Sequence, residues 1–181
     1  MLEKFKKTET TLMDFTISEV DTFLNQNSKK TFYAFAFDCN AERAEVNLCF
    51  NTEDDFKKTL ELYQNGRHAE QYQSEASIRS IKWNTGDWSY QCFASINVFS
   101  EDELTKIFDS FPEDDYRSWK KFIEALMQLF SKILITFSET NTFKNISKTD
   151  NFKTFCIDHD ESFEDAEKRT KKLKTANKNH N

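Results

Sequence analysis

The most aromatic run of the chain, residues 31–38, carries apolar side chains at almost every position. With the alternation of a β-strand these divide into two faces, Tyr33, Phe35 and Phe37 on one and Phe32, Ala34 and Ala36 on the other. A strand that is apolar on both faces is typical of a sheet interior covered on both sides. We therefore expect residues 31–38 to form the central strand, with Asp38 ending the run in a polar turn.

Two further segments have the pattern of strands. In residues 44–51, apolar Val46, Leu48 and Phe50 alternate with mostly polar residues, which is typical of a strand with one buried face. The short connection to the first strand predicts an antiparallel hairpin. Residues 152–158 predict a third strand, whereas residues 92–99 fit a helix and a strand equally well.

The remaining apolar stripes have helical spacing. They predict helices over residues 10–27, from Thr52 to Asn65-Gly66, from Ser100 to about residue 108, over 115–137, and from Ser162 onward. Thr52 and Ser100 have the character of N-caps, and Ser100 with Glu103 resembles a capping box. Asn65-Gly66 is expected to end the second of these helices, since both residues tolerate left-handed backbone, and the polar residues 67–77 predict a loop.

Together these elements predict one α+β domain over residues 1–166. Its small antiparallel sheet, the core hairpin plus the C-terminal strand, would be packed with several helices. Residues 167–181 are predicted to form a basic, frayed tail. The 181 residues are enough for one core, and two Gly and one Pro argue against a turn-rich β-sandwich.

Charge is unevenly distributed along the chain. The net charge of −6 combines +5 in residues 166–181 with −11 in residues 1–165. An acidic body repels nucleic acid and would attract a basic protein. Solubility alone would account for the same charge.

The four cysteines, Cys39, Cys49, Cys92 and Cys156, form no C-x-x-C pair. With no secretory segment and no apolar run long enough to span a bilayer, we expect a reduced, cytoplasmic protein without disulfides or membrane contact. Buried, unreactive thiols are the simplest interpretation of these cysteines.

Motifs of common enzyme classes are missing from the sequence: it has no G-x-S-x-G, Walker loop, G-x-G-x-x-G or H-E-x-x-H. The segment Asp158–Glu161 resembles a metal site, but a charged strand-to-helix loop explains it equally simply, and we expect no metal or cofactor. Asp38, Glu45 and Asp158 would converge at strand ends as an acid/base set. The alternative interpretation is a small hydrolytic enzyme that uses Asp38, Asp158 and His159.

Two segments are candidates for partner binding. Residues 83–90 hold two of the three tryptophans around a polar turn, and Trp83, Asp87 and Trp88 would serve either as core or as a recognition surface. Glu113, Asp114 and Asp115 precede the longest predicted helix. They would compensate its dipole or extend an acidic docking face.

Three segments also resemble an uncharacterised bacterial family, the domain of unknown function 4303. They are Phe32-Tyr33-Ala34-Phe35-Ala36-Phe37-Asp38, Asn51-Thr52-Glu53, and Ile81-Lys82-Trp83-Asn84-Thr85-Gly86-Asp87-Trp88-Ser89-Tyr90. The strand ending at Asp158 and the later Arg169 are similar too. The chain departs from the family pattern where residues 84–87 replace the usual Ser-Pro-Ala-Glu.

The resemblance implies an α+β fold but no established chemistry. Because genes of this family often lie near polymorphic toxin and immunity genes, it also implies an inhibitor role by association. We therefore expect a non-catalytic protein-binding module, an immunity protein that occludes a basic toxin, with the small hydrolase as the alternative. The sequence leaves the partner's identity and the oligomeric state open.

Overall fold

A computed structural model describes residues 2–112 and 115–178 of the protein. The helices are α1 Leu2–Gln26, α2 Glu53–Gln64, α3 Glu75–Trp83, α4 Glu101–Phe108, α5 Tyr116–Phe137, α6 Asn141–Asn145 and α7 Phe163–Lys178, and the strands are β1 Phe32–Asn40, β2 Glu45–Thr52, β3 Tyr90–Asn97 and β4 Lys148–Asp158. Short 3₁₀ helices cover Ala41–Arg43, Ala69–Tyr72 and Thr85–Asp87. None of the described helices combines the length and the apolar character that crossing a membrane requires.

The four strands form one sheet in the order β3-β2-β1-β4, so β1 lies in its interior. β1 pairs with β2 in the antiparallel sense, with Phe35 opposite Phe50. This confirms the α+β class, the predicted hairpin and the interior position of the first strand. β4 runs parallel to β1, with Phe35 opposite Thr154, so the mostly antiparallel sheet is a mixed one.

The parallel direction of β4 follows from the long connection that precedes it. Two parallel strands cannot be joined by a tight turn and need a crossover. The 22 residues of α5 supply much of that crossover, because a helix of this length spans about 33 Å. The predicted helix over 115–137 is confirmed, and its apolar stripe covers one face of the sheet.

A bulge in β1 changes the predicted division of its faces. The register with β2 and with β4 shifts between Phe32 and Ala34. As a result Phe32 packs on the same side as Phe35 and Phe37, whereas Tyr33 joins Ala34 and Ala36 on the other side. The prediction that Tyr33 shares a face with Phe35 and Phe37 is therefore wrong, since strict alternation does not hold through a bulge.

The face that carries Phe35 and Phe37 is covered by α1 and α5. Leu12 and Val20 of α1, together with Leu126 and Phe130 of α5, are completely buried there. Phe35 packs against Phe50 and Phe137, with ring centroids 4.6 Å and 5.5 Å apart. This layer is the main hydrophobic core.

The opposite face, with Ala34 and Ala36, is covered by α2, α3 and α7. Its large side chains are buried together, namely Tyr33, Phe56, Ile81, Trp88, Phe155 and Phe163. The predicted loop over 67–77 is wrong, because α3 begins at Glu75 with Ser74 as its N-cap and supplies Ile81 to this layer. Because α3 is short and has a polar exposed surface, its sequence resembles that of a loop.

Other boundaries also differ from the prediction. α1 begins eight residues before the predicted start, and residues 92–99 fall mostly in the edge strand β3. Asn65, at the end of α2, has φ −108° and is not left-handed. Thr52 and the Ser100–Glu103 capping box cap α2 and α4 as predicted.

The C-terminal helix extends well into the predicted tail. α7 continues to Lys178, so the expected boundary at residue 166 falls inside a helix. Thr170 is buried and Arg169 contacts β4 and α5, because both lie on the side of α7 that faces the body. Residues 163–170 are thus part of the packed domain.

Phe35→Ala should lower the free energy of unfolding by about 3–5 kcal/mol, because it removes a fully buried ring and leaves a cavity. Denaturant titration monitored by circular dichroism measures this loss. Phe108→Ala is the matched control, since Phe108 is exposed and its truncation should cost less than about 1 kcal/mol. Equal losses in the two variants would contradict the assignment of Phe35 to the core.

Candidate functional site

A cleft of about 450 Å³ opens where β1 and β4 end, and we call it the strand-end cleft. Six of its lining residues carry the argument below: Asp38, Arg79, Trp83, Thr85, Asp158 and His159. Its walls come from α3, the 3₁₀ turn at 85–87, the end of β4 and the start of α7. Clefts of this size at the carboxyl ends of parallel strands are common ligand sites.

The parallel pairing of β1 with β4 brings Asp38 and Asp158 to the same edge of the sheet. Asp38 lies opposite Ile157 and Asp158 lies opposite Cys39, so the two residues are diagonal neighbours whose side chains alternate to opposite faces of the sheet. His159 follows directly, and its backbone N–H donates to the Cys39 carbonyl at 2.9 Å. The structure therefore brings together the three residues predicted for the hydrolase alternative.

Asp38 is half-buried within β1, which continues to Asn40. The expectation that Asp38 lies in a polar turn after the strand is therefore wrong. Its Oδ2 accepts a hydrogen bond of 2.8 Å from the Thr85 hydroxyl. Burial raises the pKa of Asp38 above its usual range, and the Thr85 hydrogen bond and the nearby His159 offset part of that rise. The carboxylate is thus less favourable as a charge than it would be in water.

Asp158 has a structural contact of its own. Its Oδ1 accepts from the Ala41 backbone N–H at 3.1 Å, which ties the β1–β2 connection to the end of β4. Glu45, the third carboxylate predicted at the strand ends, accepts from the Ser95 hydroxyl on β3 and does not line the cleft. The predicted acid/base set therefore converges only in part.

Two ion pairs flank the cleft. Arg169 of α7 binds Glu161 through two nitrogens, and it also donates to the Cys156 carbonyl at 2.6 Å and to the Ser131 hydroxyl at 3.0 Å. Arg79 of α3 meets Glu164 at 3.3 Å in an exposed pair. Glu161 and Glu164 are therefore neutralised by neighbouring guanidinium groups.

The residues predicted to bind a partner have different environments. Trp88 is 2% exposed, and its indole N–H donates to the Lys82 carbonyl at 3.0 Å, so it belongs to the core. Trp83 is half-buried, stacks on Phe163 with ring centroids 4.8 Å apart, and lines the cleft. Trp88 therefore presents no surface to a partner, whereas Trp83 is partly accessible.

Asp87 acts within the fold. It accepts hydrogen bonds of 2.7 Å from the Tyr63 hydroxyl and from the Asn84 side chain, which joins the 85–87 turn to α2. The bond to Asp87 raises the pKa of Tyr63 to about 12. These contacts give Asp87 a structural role in holding the turn that carries Thr85.

Asp115 lies on the other side of the sheet from these residues. It caps α5, with Ser118 N–H donating to its carboxylate at 3.2 Å, as the dipole interpretation predicts. Glu113 and Asp114 lie outside the described residues. The sheet thus separates Asp115 from Trp83 and Asp87, and these residues do not form one continuous surface.

Cysteine and metal chemistry have little support in the part of the chain that is described. No three His, Cys, Asp or Glu side chains converge there in a way that would hold a metal ion. The four cysteines are free, and Cys39 and Cys156 have sulfur atoms 3.6 Å apart in the core. Burial raises the pKa of Cys39, Cys49 and Cys92, which opposes formation of a nucleophilic thiolate.

Sequence reasoning did not find Thr85 and Arg79 as cleft residues. Thr85 contacts Asp38 across 47 positions of sequence, and nothing local signals that contact. Arg79 lies two residues beyond the predicted loop over 67–77, and its placement depended on recognising α3. The one available signal was the polar turn at 84–87 beside two tryptophans.

The fold and the cleft define an α+β protein with a mixed four-stranded sheet and a polar site at the ends of its parallel strands. The chain belongs to the family described as Domain of unknown function (DUF4303), which matches residues 12–175. This confirms the family that the sequence motifs resembled. No curated protein and no solved structure matches the chain.

Asp38→Asn should make the protein more stable than wild type at neutral pH. Because its pKa is raised in the folded state, Asp38 keeps a proton that the unfolded chain loses near pH 4, so its contribution to stability falls as pH rises. Asparagine cannot titrate and still accepts from Thr85. Urea titrations at a series of pH values should therefore show the advantage of the variant growing as pH rises above about 4.

Asp165→Asn provides a control of opposite sign. The hydrogen bond from Lys168 lowers the pKa of Asp165, so the deficit of this variant should develop as pH rises toward about 4 and stay constant above it, where the Asp38→Asn advantage is still growing. If the free energy of unfolding of Asp38→Asn changed with pH in parallel with that of wild type, the burial of a charged carboxylate in the cleft would be contradicted.

Proposed function

We propose that this protein is a non-catalytic binding module that inhibits another protein, as a bacterial immunity protein inhibits its cognate toxin. The observation that carries the proposal is a pair of exposed aromatic side chains in an acidic stretch. Phe108, at the end of α4, is 53% exposed, and Tyr116, at the start of α5, is 67% exposed. Large aromatic side chains displayed to solvent are typical of protein-binding surfaces.

The two side chains belong to one surface, the α4–α5 patch, formed by Phe108, Tyr116 and Trp119. The Phe108 ring meets the Trp119 ring edge-on, with centroids 5.4 Å apart. Tyr116 precedes Trp119 by one helical turn, so the two share a side of α5. Trp119 packs in turn on the buried Phe122, which anchors the patch to the core and limits the entropy lost on binding.

The charge around this patch would select a basic partner. Residues 100–121, the stretch of sequence that holds the patch, contain seven Asp or Glu and four Lys or Arg, and Glu101, Asp102 and Asp109 are exposed. Acidic groups around an aromatic centre would steer a basic protein toward it and exclude acidic ones. Inhibition would then be steric, because the bound protein would cover part of its target.

The family resemblance supports the same role. Genes of the family often lie near polymorphic toxin and immunity genes, and an immunity protein needs no catalytic machinery. A body with a net charge of −11 over residues 1–165 is suited to a basic toxin.

Co-expression with the neighbouring gene tests the proposal. If that gene is toxic in a bacterial host, this protein should restore growth and co-purify with the product in a stable complex. The reason is that occlusion requires a lasting association. The measurements are colony growth and affinity purification from the same cells.

Growth that is not restored, together with failure to co-purify, would contradict the proposal. A complex that forms should associate more slowly as salt rises from low to physiological levels, since steering by exposed charges is screened. An association rate that does not change with salt would remove the electrostatic part of the mechanism.

The double variant Phe108→Ala, Tyr116→Ala should weaken the complex by about 10- to 100-fold, because it removes the aromatic centre of the patch. Leu62→Ala is the matched control: Leu62 is 76% exposed but lies on α2, across the sheet. Calorimetry of the purified proteins measures the effect. Equal affinities for the double variant and wild type would place the interface elsewhere on the molecule.

One observation favours the small hydrolase as a second candidate: Asp38, Asp158 and His159 share the strand-end cleft. A half-buried carboxyl with a raised pKa beside an imidazole is a typical acid/base arrangement. Hydrolysis of p-nitrophenyl esters by wild-type protein, lost in Asp38→Asn and in His159→Ala, would support this function. Equal turnover by all three proteins would exclude it for that substrate class.

A further inference from the structure

We propose that two copies of this chain associate through β3, by antiparallel pairing of their β3 strands into one continuous sheet. The order β3-β2-β1-β4 leaves β3 and β4 at the two edges of the sheet. An edge strand presents unpaired backbone N–H and C=O groups, which can pair with a further strand. The proposal is independent of the proposed function, since none of the residues that carry it belongs to the α4–α5 patch.

β4, the other edge strand, is protected by a helix and by charge. Arg169 of α7 donates to the Cys156 carbonyl at 2.6 Å, so α7 covers part of the outer edge of β4. The strand also carries the charged residues Lys148, Asp150 and Lys153. Covering helices and charged side chains are two ways in which native proteins block pairing at a sheet edge.

β3 has no comparable protection among the described residues. Residues 88–100, which include all of β3, form the longest stretch without a charged side chain, although charged residues make up 31% of the protein. A strand from a basic partner would find no acidic side chain on β3. A second copy of β3 would pair with it without bringing like charges together, so the edge itself favours self-association.

The hydrogen bonds of β3 identify which of its backbone groups face outward. The Val98 N–H donates to the Ala44 carbonyl at 2.9 Å, and the pairing with β2 is regular over 94–97, beyond the register shift near the start of the strand. Because hydrogen-bonded and non-hydrogen-bonded pairs alternate in antiparallel strands, Ser95 and Asn97 direct their N–H and C=O groups away from β2. These groups have no backbone partner among the described residues.

One two-fold register pairs all of these outward groups. With Ile96 opposite Ile96 of the second copy, Ser95 lies opposite the partner's Asn97, and each such pair exchanges both of its N–H···O bonds. Ile96 is half-buried, and a β-branched pair across two strands adds to the stability of a sheet. The same surface is used on both copies, so the contact closes as a dimer and does not continue into a fibre.

The side chains that would meet across the dimer are also compatible. In each row that crosses the dimer, the register places Glu45 and Asn97 of one copy next to Ser95 and Asn47 of the other. Each row therefore contains one carboxylate, at its outer end, so the acidic groups of the two copies are kept apart. Ser and Asn side chains facing each other can add hydrogen bonds to those of the backbone.

Sedimentation velocity of the full-length protein over a dilution series tests the proposal. A single strand pair is a small interface, so the dimer should dissociate on dilution, with a dissociation constant on the order of micromolar. Protein that stays monomeric up to about 1 mM would overturn the proposal. Growth beyond a dimer would also overturn it, because the two-fold register leaves no second open edge on β3.

Amide hydrogen exchange locates the contact. The Ser95 and Asn97 amides are open to water in the monomer and bonded in the dimer, so their exchange should slow at least about tenfold from low to high protein concentration. The Ile96 amide faces β2 in both states and is the internal control, whose exchange should change little. Equal exchange of the Ser95 amide at both concentrations would overturn the proposal even if a dimer forms.

Ser95→Pro and Ser95→Ala form a matched pair of variants. Both lose the hydroxyl that donates to Glu45, but only proline loses the outward N–H, and an edge strand tolerates proline where its N–H faces solvent. The proline variant should weaken the dimer at least about tenfold, whereas the alanine variant should dimerise like wild type. Circular dichroism checks that both fold. A folded proline variant that dimerises like wild type would overturn the proposal.

Ile96→Cys in a Cys92→Ser background keeps the proposal testable if the proline variant does not fold. Residue 96 would lie opposite its own copy in a non-hydrogen-bonded pair, at a separation that a disulfide can bridge. Dissolved oxygen with copper phenanthroline would take two electrons and two protons from the thiols and give a covalent dimer. Asn97→Cys in the same background, which does not lie opposite itself, should give much less. No covalent dimer, or equal amounts from both variants, would overturn the register.

A strand of another protein is the competing occupant of this edge. If the chain stays monomeric and Ser95→Pro weakens the complex with the neighbouring gene product while Ser95→Ala does not, β3 receives a strand from that partner and the dimer is overturned.

Discussion

The parallel pairing of β1 with β4 is the constraint on which the rest of this structure depends. It requires a crossover, and α5 provides it while burying the aromatic face of β1. It also brings the ends of the two strands to one edge of the sheet. The strand-end cleft lies at that edge, lined by Asp38 of β1 and by the end of β4.

Arg169 secures this arrangement from the C-terminal side. Its guanidinium reaches the Cys156 carbonyl on β4, the Ser131 hydroxyl on α5 and the Glu161 carboxylate before α7. A half-buried charge of this kind is tolerated because each contact is a charge-assisted hydrogen bond. One side chain thus holds the strand, the crossover helix and the final helix together behind the cleft.

The cleft has the character of a site maintained at some expense of stability. Burial of Asp38 disfavours its charged form, and the Thr85 hydrogen bond and the nearby His159 compensate only in part. Native proteins tend to keep such local conflicts where a ligand resolves them. The aromatic α4–α5 patch is a second exposed feature, on the opposite side of the sheet.

The sequence by itself determined the class of the fold, the central strand, the β1–β2 hairpin, the long helix α5 and the caps at Thr52 and Ser100. Each of these depends on local periodicity or on a side chain that satisfies backbone groups a few residues away. The tertiary structure decided the direction of β4, the side of the sheet on which Tyr33 lies, and the burial of Trp88 beside a half-exposed Trp83. It also decided that Asp38, Asp158 and His159 converge while Asp115 lies across the sheet. Those outcomes depend on strand register and on contacts between residues far apart in the chain, and the spacing of residues along the sequence carries no information about them.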